Sequence, residues 1–196
     1  MVSGLDASFH VGADAQFLIA PARNRITGAQ TLTLRDRPEL RIDPTDIVST
    51  GALAGVSGAQ VYSVEAAGTY GPLFFQGEYF WYNVNRGALP GLPSVKFDGG
   101  YSQASFVLTG ETHTYNSAAA AYNGIVPANP FSLSSGGWGA WEIAGRISMV
   151  DLNDQLATSN GVAGGKQTIY TAGWYVNRNS IHVQLPARRH CQAGER

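Results

Sequence analysis

The segment LFFQGEYFWYNVNR, residues 73–86, decides the fold because it combines six aromatic residues with polar ones in fourteen positions. Successive side chains of a β-strand point to opposite faces of a sheet. A strand here would set Leu73, Phe75, Tyr79 and Trp81 against Gln76, Glu78 and Tyr82. An unpaired glutamate in an apolar core costs several kcal/mol, and a strand with water on both faces would not expose so many rings. The segment therefore predicts a strand that lies between an apolar medium and water.

The same period of two recurs in six further segments, whereas helical periodicity is almost absent. Most of these segments extend over about 10–14 residues, longer than the five or six that are usual in globular proteins. They are FHVGADAQFLIA (9–20), TLTLRDR (31–37), QVYSVEAAGTY (60–70), GGYSQASFVLTGE (99–111), WGAWEIAGRISM (138–149) and KQTIYTAGWYV (166–176). The pattern predicts an all-β, antiparallel fold with about seven or eight long strands.

The predicted strands are joined by connections of very different length. Gly71 and Pro72 form a tight turn, whereas residues 87–96, 112–136 and 151–165 are long links rich in Gly, Pro, Asn, Ser and Ala. Short turns at one end and long loops at the other are typical of outer-membrane β-barrels, whose tilted strands need about 9–11 residues to cross the bilayer. We therefore predict a portion of a transmembrane β-barrel, with a periplasmic turn at 71–72 and an extracellular loop at 112–136.

In such a barrel the face that carries the rings meets lipid, and the polar face meets a water-filled lumen. Amphipathic aromatic side chains concentrate where lipid meets water. The candidates for these aromatic girdles are Tyr79, Trp81, Trp138, Trp141 and Trp174. A soluble β-sandwich also has alternating strands, but the strand length, the low charge and the loop pattern favour the barrel.

The composition excludes several other classes of protein. A net charge of −1 gives no electrostatic indication of nucleic-acid binding, and only 14% of residues are charged, against roughly 25% in typical soluble domains. Cys191 is the only cysteine, which excludes an internal disulfide framework or a cysteine metal site. The four histidines lack metal-ligand spacing and no nucleophile motif occurs, so the sequence predicts no enzyme, no metal and no cofactor.

The sequence also lacks the signals of a membrane helix and of export. No run of about 18 apolar residues occurs, so no helix is predicted to span a membrane. The opening residues MVSGLDASFH have neither the basic nor the apolar region of a signal peptide. If the protein is exported, we expect this chain not to be its whole precursor.

Four arginines are candidates for an anion pathway through the lumen. Alternation assigns Arg35, Arg37, Arg41 and Arg146 to the polar face. A guanidinium is always charged, and its forked donors match phosphate oxygens, so a row of them would favour anions. The alternative is that they pair with carboxylates assigned to the same face and only stiffen the wall. These carboxylates are Glu65, Glu78, Glu111 and Glu142.

Five segments resemble the C-terminal half of the phosphate-selective porin O/P family. They are RDRPELRID, EAAGTYGPLFFQGEYF, GGYSQASFVLTGE, PFSLSSGGWGAWEIAGRISMVDLND and GGKQTIYTAGWYVN, and the similarity extends from about Phe9 to Asn179. The resemblance implies a trimeric porin of the bacterial outer membrane that passes phosphate, polyphosphate or other small anions, with about sixteen strands per subunit. The implied partners are these anions, outer-membrane lipid and two further copies of the chain.

The chain departs from that family pattern in two places. From the resemblance, we expect the N-terminal half, with the inward-folded loop that forms the constriction in such porins, to lie outside this chain. The last residues, SIHVQLPARRHCQAGER, do not continue the alternation and bring an abrupt change of composition. We therefore predict a barrel portion at 1–179 and an atypical tail at 180–196, which a frameshift or a truncated reading frame would explain. A genuine variant tail is the alternative.

The sequence leaves two other functions open. One is a complete eight-stranded barrel with a structural or adhesive role, whose eighth strand would have to come from the tail. The other is a soluble β-sandwich that binds carbohydrate through exposed aromatic rings. The interpretation that we favour is about half of the barrel of an anion-selective porin, and we expect seven strands not to close by themselves because bacterial barrels use even numbers.

Overall fold

In the computed structural model, the residues described are 6–23, 28–37, 45–132, 134–177 and 181–192. Over these ranges the regular structure consists of β-strands. The strands are β1 (Ala7–Leu18), β2 (Thr31–Leu32), β3 (Arg35–Asp36), β4 (Val48–Ser49), β5 (Leu53–Ala54), β6 (Gly58–Tyr70), β7 (Leu73–Asn85), β8 (Val95–Val107), β9 (Tyr115–Asn116), β10 (Ala121–Tyr122), β11 (Ala140–Asp154), β12 (Val162–Asn177) and β13 (Ile181–Gln192). Among the described residues, no helix has the length and apolar character that a membrane crossing would need.

Seven long strands form one antiparallel sheet in the order β1-β6-β7-β8-β11-β12-β13. Their lengths range from 12 to 16 residues, and each pairs with the long strand that precedes or follows it along the chain. The sheet is open, with β1 and β13 at its two edges. The predicted all-β, antiparallel architecture of long strands, a portion of a barrel, is therefore confirmed.

The prediction that TLTLRDR forms a wall strand was wrong. Thr31–Leu32 pairs with β5 and Arg35–Asp36 pairs with β4, in two small separate sheets. The reason lies in the leucines of this segment, because Leu32 and Leu34 pack against a buried apolar cluster of the protein and not against lipid. The alternation in this segment therefore has another cause. Its leucines pack onto one face of the large sheet, and the segment itself is not a strand of that sheet.

The seventh long strand is β13, which lies in the region predicted to be an atypical tail. It pairs with β12 from Ile181, opposite Val176, to Gln192, opposite Lys166. The sheet thus continues past Asn179. The predicted domain boundary at that residue stays a prediction.

One face of the sheet is covered by the chain itself, and we call it the covered face. The first covering segment, residues 28–37 and 45–57, inserts Val48, Leu53 and Val56 into an apolar cluster. The cluster is completed by residues of the sheet: Val84, Val95, Phe97, Leu152 and Val162. The second covering segment, residues 108–132 and 134–139, packs Ile125 against Val107 and Ala140.

The opposite face, which we call the open face, exposes large apolar side chains. Phe9 is 67% exposed and Trp174 is 54% exposed. The exposed set on this face also includes Val11, Tyr62, Val64, Leu73, Phe75, Trp81, Phe106, Ile143, Ile147, Met149 and Tyr170. The face assignments made from alternation in the predicted strands at 60–70, 73–86, 99–111 and 138–149 are confirmed. Contiguous apolar area of this extent marks a surface that meets a membrane or a protein.

The connections do not separate into a short end and a long end, so the predicted topology was wrong. Leu73, which follows the turn, pairs with Phe106 near the end of β8, and the Val107 N–H donates to the Pro72 carbonyl. The turn at 71–72 and the second covering segment therefore leave the sheet at the same end. The turn itself has glycine at the first of its two central positions, where Gly71 adopts a φ of 56° that other residues rarely adopt.

Candidate functional site

A cavity of about 1230 Å³ lies between the covered face and the two covering segments. Arg35 and Arg37 reach it from the first covering segment, and Arg146 reaches it from β11. Ligand pockets usually measure about 300–1,000 Å³, so this space is wide enough for a hydrated solute. Three of the four arginines predicted for the pathway thus line one cavity. Arg41 lies outside the described residues.

Arg146 belongs to a polar row that runs straight across three strands of the covered face. Gln76 on β7 pairs with Gln103 on β8, and Gln103 pairs with Arg146 on β11. Arg146 Nη1 donates to Gln103 Oε1 at 3.1 Å, and Gln103 Nε2 donates to Gln76 Oε1 at 3.3 Å. Alternation had placed all three side chains on the polar face, but it could not show that they are neighbours.

Tyr101 completes this arrangement from the same face of β8, two residues before Gln103. Gln76 Nε2 donates to the Tyr101 hydroxyl oxygen at 2.8 Å, and the Arg146 Cζ atom lies 3.9 Å from the centre of the Tyr101 ring. A guanidinium stacked on an aromatic ring in this way is stabilised by the quadrupole of the ring. We refer to Gln76, Tyr101, Gln103 and Arg146 as the arginine network.

Arg35 and Arg37 share one carboxylate of their own segment. Arg37 Nε lies 2.8 Å from Asp46 Oδ1, and Arg35 Nη1 lies 3.3 Å from Asp46 Oδ2. The hydrogen bond from Arg37 and the charges of both arginines hold the pKa of Asp46 below its ordinary value. Both arginines therefore pair with Asp46, which is not one of the four carboxylates predicted from the sequence. The two ion pairs hold the guanidinium groups of Arg35 and Arg37 over the cavity.

The four predicted carboxylates lie in different surroundings. Glu65 and Glu78 are directly opposite each other on β6 and β7, and Glu65 Oε1 lies 3.1 Å from His10 Nε2. Glu142 lies on the covered face of β11. Glu111 lies beyond the end of β8, in the second covering segment. Within the described ranges, no three His, Cys, Asp or Glu side chains come together as a metal site would require.

Glu111 has a depressed pKa in spite of partial burial. Burial raises the pKa of this carboxyl, but hydrogen bonds from the Thr109 hydroxyl and the Ala128 backbone N–H lower it by more. Both partners belong to the second covering segment. Glu111 therefore braces that segment internally in this structure.

Two histidines attach the second covering segment to the sheet, although the sequence predicted no role for either of them. His113 Nε2 lies 2.9 Å from Glu142 Oε1, and the His113 ring stacks on Phe74 with centroids 4.5 Å apart. The Tyr115 hydroxyl lies 3.0 Å from His10 Nδ1. The sequence could show only that His10 lies on the polar face of its strand. The partners of both histidines are far away in the sequence, so these contacts could not be predicted.

The attachment through His113 should depend on pH. Burial lowers the pKa of His113, but hydrogen bonds to Glu142 and to the Asn123 carbonyl raise it by more, so the pKa lies above the ordinary 6.5. Such a histidine stabilises the folded state fully below its unfolded pKa, and the contribution is lost as pH rises through the folded pKa. We expect the second covering segment to be held most firmly below pH 6.5 and to loosen as pH passes the raised value.

Hydrogen exchange of the backbone amides in residues 108–132 would measure this loosening as protection factors at several pH values. His113→Gln is the matched control, because glutamine keeps a hydrogen bond to Glu142 but does not titrate. Protection should fall with pH in the native protein and stay level in the variant. Equal pH profiles for the two proteins would show that His113 does not control the attachment.

Four of the five predicted girdle residues form two groups on the open face. Tyr79 and Trp81 contact each other, with ring centroids 4.9 Å apart, and Trp141 and Trp174 do so at 5.2 Å towards the end that carries the turn at 71–72. Trp138 is exposed at the end of the second covering segment, where its backbone carbonyl accepts a hydrogen bond from Trp141 Nε1 at 2.8 Å.

A charged row begins on the open face at the level of Trp81. Asp98, Asp151 and Lys166 follow Trp81 across three neighbouring strands, and Lys166 Nζ lies 3.2 Å from Asp151 Oδ2. The Tyr79 hydroxyl donates to Asp98. On β8, β11 and β12 the apolar part of the open face therefore ends at this row.

Comparison with known proteins gives two matches. Residues 1–187 match the family described as phosphate-selective porin O and P. An uncharacterized protein of Caulobacter vibrioides is 31% identical over 165 residues. That alignment covers 83% of this chain and 30% of the relative, so the chain spans less than a third of the length of the curated relative that it matches.

Proposed function

Because this chain belongs to the phosphate-selective porin O and P family, we propose that its sheet forms part of the wall of an anion-selective diffusion channel in the bacterial outer membrane. The open face would meet lipid and the covered face would line the water-filled lumen. The observation that carries the proposal is the distribution of side chains, which is the reverse of that in a soluble protein. Aromatic and aliphatic side chains are exposed on one face, and Arg, Gln and Glu side chains lie together on the other.

The dimensions of the open face support this placement. The charged row with Asp151 marks one limit of the apolar surface, and Trp141 marks the other on the same strand. Between these residues β11 advances roughly 34 Å at about 3.4 Å per residue. A strand tilted by about 45° would then span roughly 24 Å of membrane, against about 25 Å for the apolar band of such barrels.

The charge pattern of the covered face supports anion selectivity. Arg35 and Arg37 come from a covering segment and Arg146 comes from the wall, yet all three line one cavity. Guanidinium groups present forked donors that suit phosphate oxygens, and a group of them raises the local concentration of anions. Phosphate or another small anion is therefore the proposed solute. A homotrimer of the full-length protein, as in the family, is the proposed assembly, and no chemical reaction is part of the function.

Replacement of Arg146 by alanine tests the proposal. One charge a few ångströms from a permeating ion in a hydrated lumen attracts an anion by about 1 kcal/mol and repels a cation by a similar amount, so Arg146→Ala should lower the anion-to-cation permeability ratio by roughly fivefold to thirtyfold. The measurement is the reversal potential of the full-length protein in planar bilayers under a salt gradient. The matched control is Ile143→Ala on the open face of the same strand, which should leave the ratio unchanged. An unchanged reversal potential in Arg146→Ala would leave Arg146 as a wall residue only.

A further inference from the structure

In the arginine network, the chemistry of the side chains determines which group donates and which accepts each hydrogen bond. A guanidinium can only donate, so Gln103 must present its carbonyl oxygen to Arg146 and its amide nitrogen to the other side. That nitrogen donates to Gln76 Oε1, which in turn leaves the Gln76 nitrogen to donate to the Tyr101 oxygen. The orientation of both amides is thus set by Arg146. The Tyr101 ring closes the network because it packs against the Arg146 guanidinium.

The closed circuit fixes the guanidinium in two ways. The bond to Gln103 holds its edge, and the stack on Tyr101 holds its plane. A free arginine side chain loses rotamer entropy when it is ordered. Here the ordering is already present in the wall, so a solute does not have to supply it on arrival. Gln76, Tyr101 and Gln103 are uncharged side chains, so their contacts orient the guanidinium without adding a negative charge of their own.

We propose that Gln103 and Tyr101 are positioning residues that set the anion preference of the channel by fixing the guanidinium of Arg146. This inference rests on the proposed function, because it assigns a role to the neighbours of a residue that faces the solute there. Gln76 acts one step further away, through the orientation of the Gln103 amide and the Tyr101 hydroxyl.

The test compares single and double variants of the full-length protein by reversal potential. Gln103→Leu keeps the approximate volume but removes the bond to Arg146, and it should lower the anion-to-cation permeability ratio about threefold, less than deletion of the charge. Tyr101→Leu should act in the same direction because the stack is lost. Tyr101→Phe keeps the stack and loses the bond to Gln76, so its effect should be the smallest of the three.

A double variant separates positioning from a general change of the wall. In an Arg146→Ala background, Gln103→Leu should have no further effect, because there is no guanidinium left to orient. Additive effects of Arg146→Ala and Gln103→Leu would overturn the positioning role. A heat-modifiable band on unboiled gels shows that each variant folds, and Tyr101→Leu, alone and in the Arg146→Ala background, keeps the test valid if Gln103→Leu does not fold.

The outcomes also separate this inference from the function on which it rests. If Arg146→Ala lowers the permeability ratio while Gln103→Leu and Tyr101→Leu leave it at the native value, the positioning role is overturned and the anion channel stands. If Arg146→Ala itself leaves the ratio unchanged, the proposed function of Arg146 is overturned, and the positioning role with it.

Discussion

Ile147→Arg is expected to impair the folding of the full-length protein into membranes. Ile147 lies near the middle of β11 on the open face, is 38% exposed, and has Ser102 and Tyr170 as its cross-strand neighbours. An arginine that faces lipid at the membrane midplane costs about 2–4 kcal/mol. The whole stability of a folded protein is only about 5–15 kcal/mol, so this loss is a large part of it.

The matched control places the same charge on the other face of the same strand. Ala144 lines the cavity on the covered face, so Ala144→Arg should fold normally with its guanidinium in water. Folding into lipid vesicles can be followed by the heat-modifiable band on unboiled gels, with Ile147→Leu as a second control. Equal folding of Ile147→Arg and Ala144→Arg would show that the open face does not meet lipid.

Val56→Asp is expected to detach the first covering segment and leave the sheet in place. Val56 is 0% exposed, within the apolar cluster that joins this segment to the strands. Burial of a carboxylate without a partner in such a cluster costs at least about 3 kcal/mol, which raises the detached population by roughly a hundredfold or more. Arg35 and Arg37 would leave the cavity together with the segment.

Two measurements on the full-length protein check this expectation. Protease should cleave residues 45–57 in Val56→Asp much faster than in the native protein, and single-channel conductance should rise because the lumen becomes wider. Ala52→Asp is the matched control, because Ala52 is exposed in the same segment and can carry the charge in water. If Val56→Asp is cleaved no faster than Ala52→Asp, the cluster does not hold the segment.

The sequence was sufficient for properties that depend on neighbouring residues. The faces of β7 and β11 followed from alternation, because a strand places Phe75 and Gln76 on opposite sides whatever surrounds it. Alternation also placed Arg146 and Gln103 on one face. Their contact could not be predicted, because it depends on the register between strands that are far apart in the sequence.

The wrong predictions have two different causes. Leu32 and Leu34 alternate with polar residues in a short segment, and only the folded chain shows that they face a buried apolar cluster and not lipid. The topology, in contrast, could have been predicted. In a sheet whose strands follow one another, connections alternate between the two ends, so the link after β8 must return to the end that carries the turn at 71–72.

The two covering segments have a consequence for the order of folding. The Tyr122 hydroxyl meets Ser8 across 114 positions of the chain, and Gln167 meets Asp36 across 131. Closure of such long loops costs entropy that is recovered only when both partners are already in place, so contacts of this kind form slowly. The hairpins of neighbouring strands can form first, and the segments can settle only on a sheet that already exists. The lumen of the proposed channel would therefore pass from a wide, unfilled form to its final width as the last step of assembly.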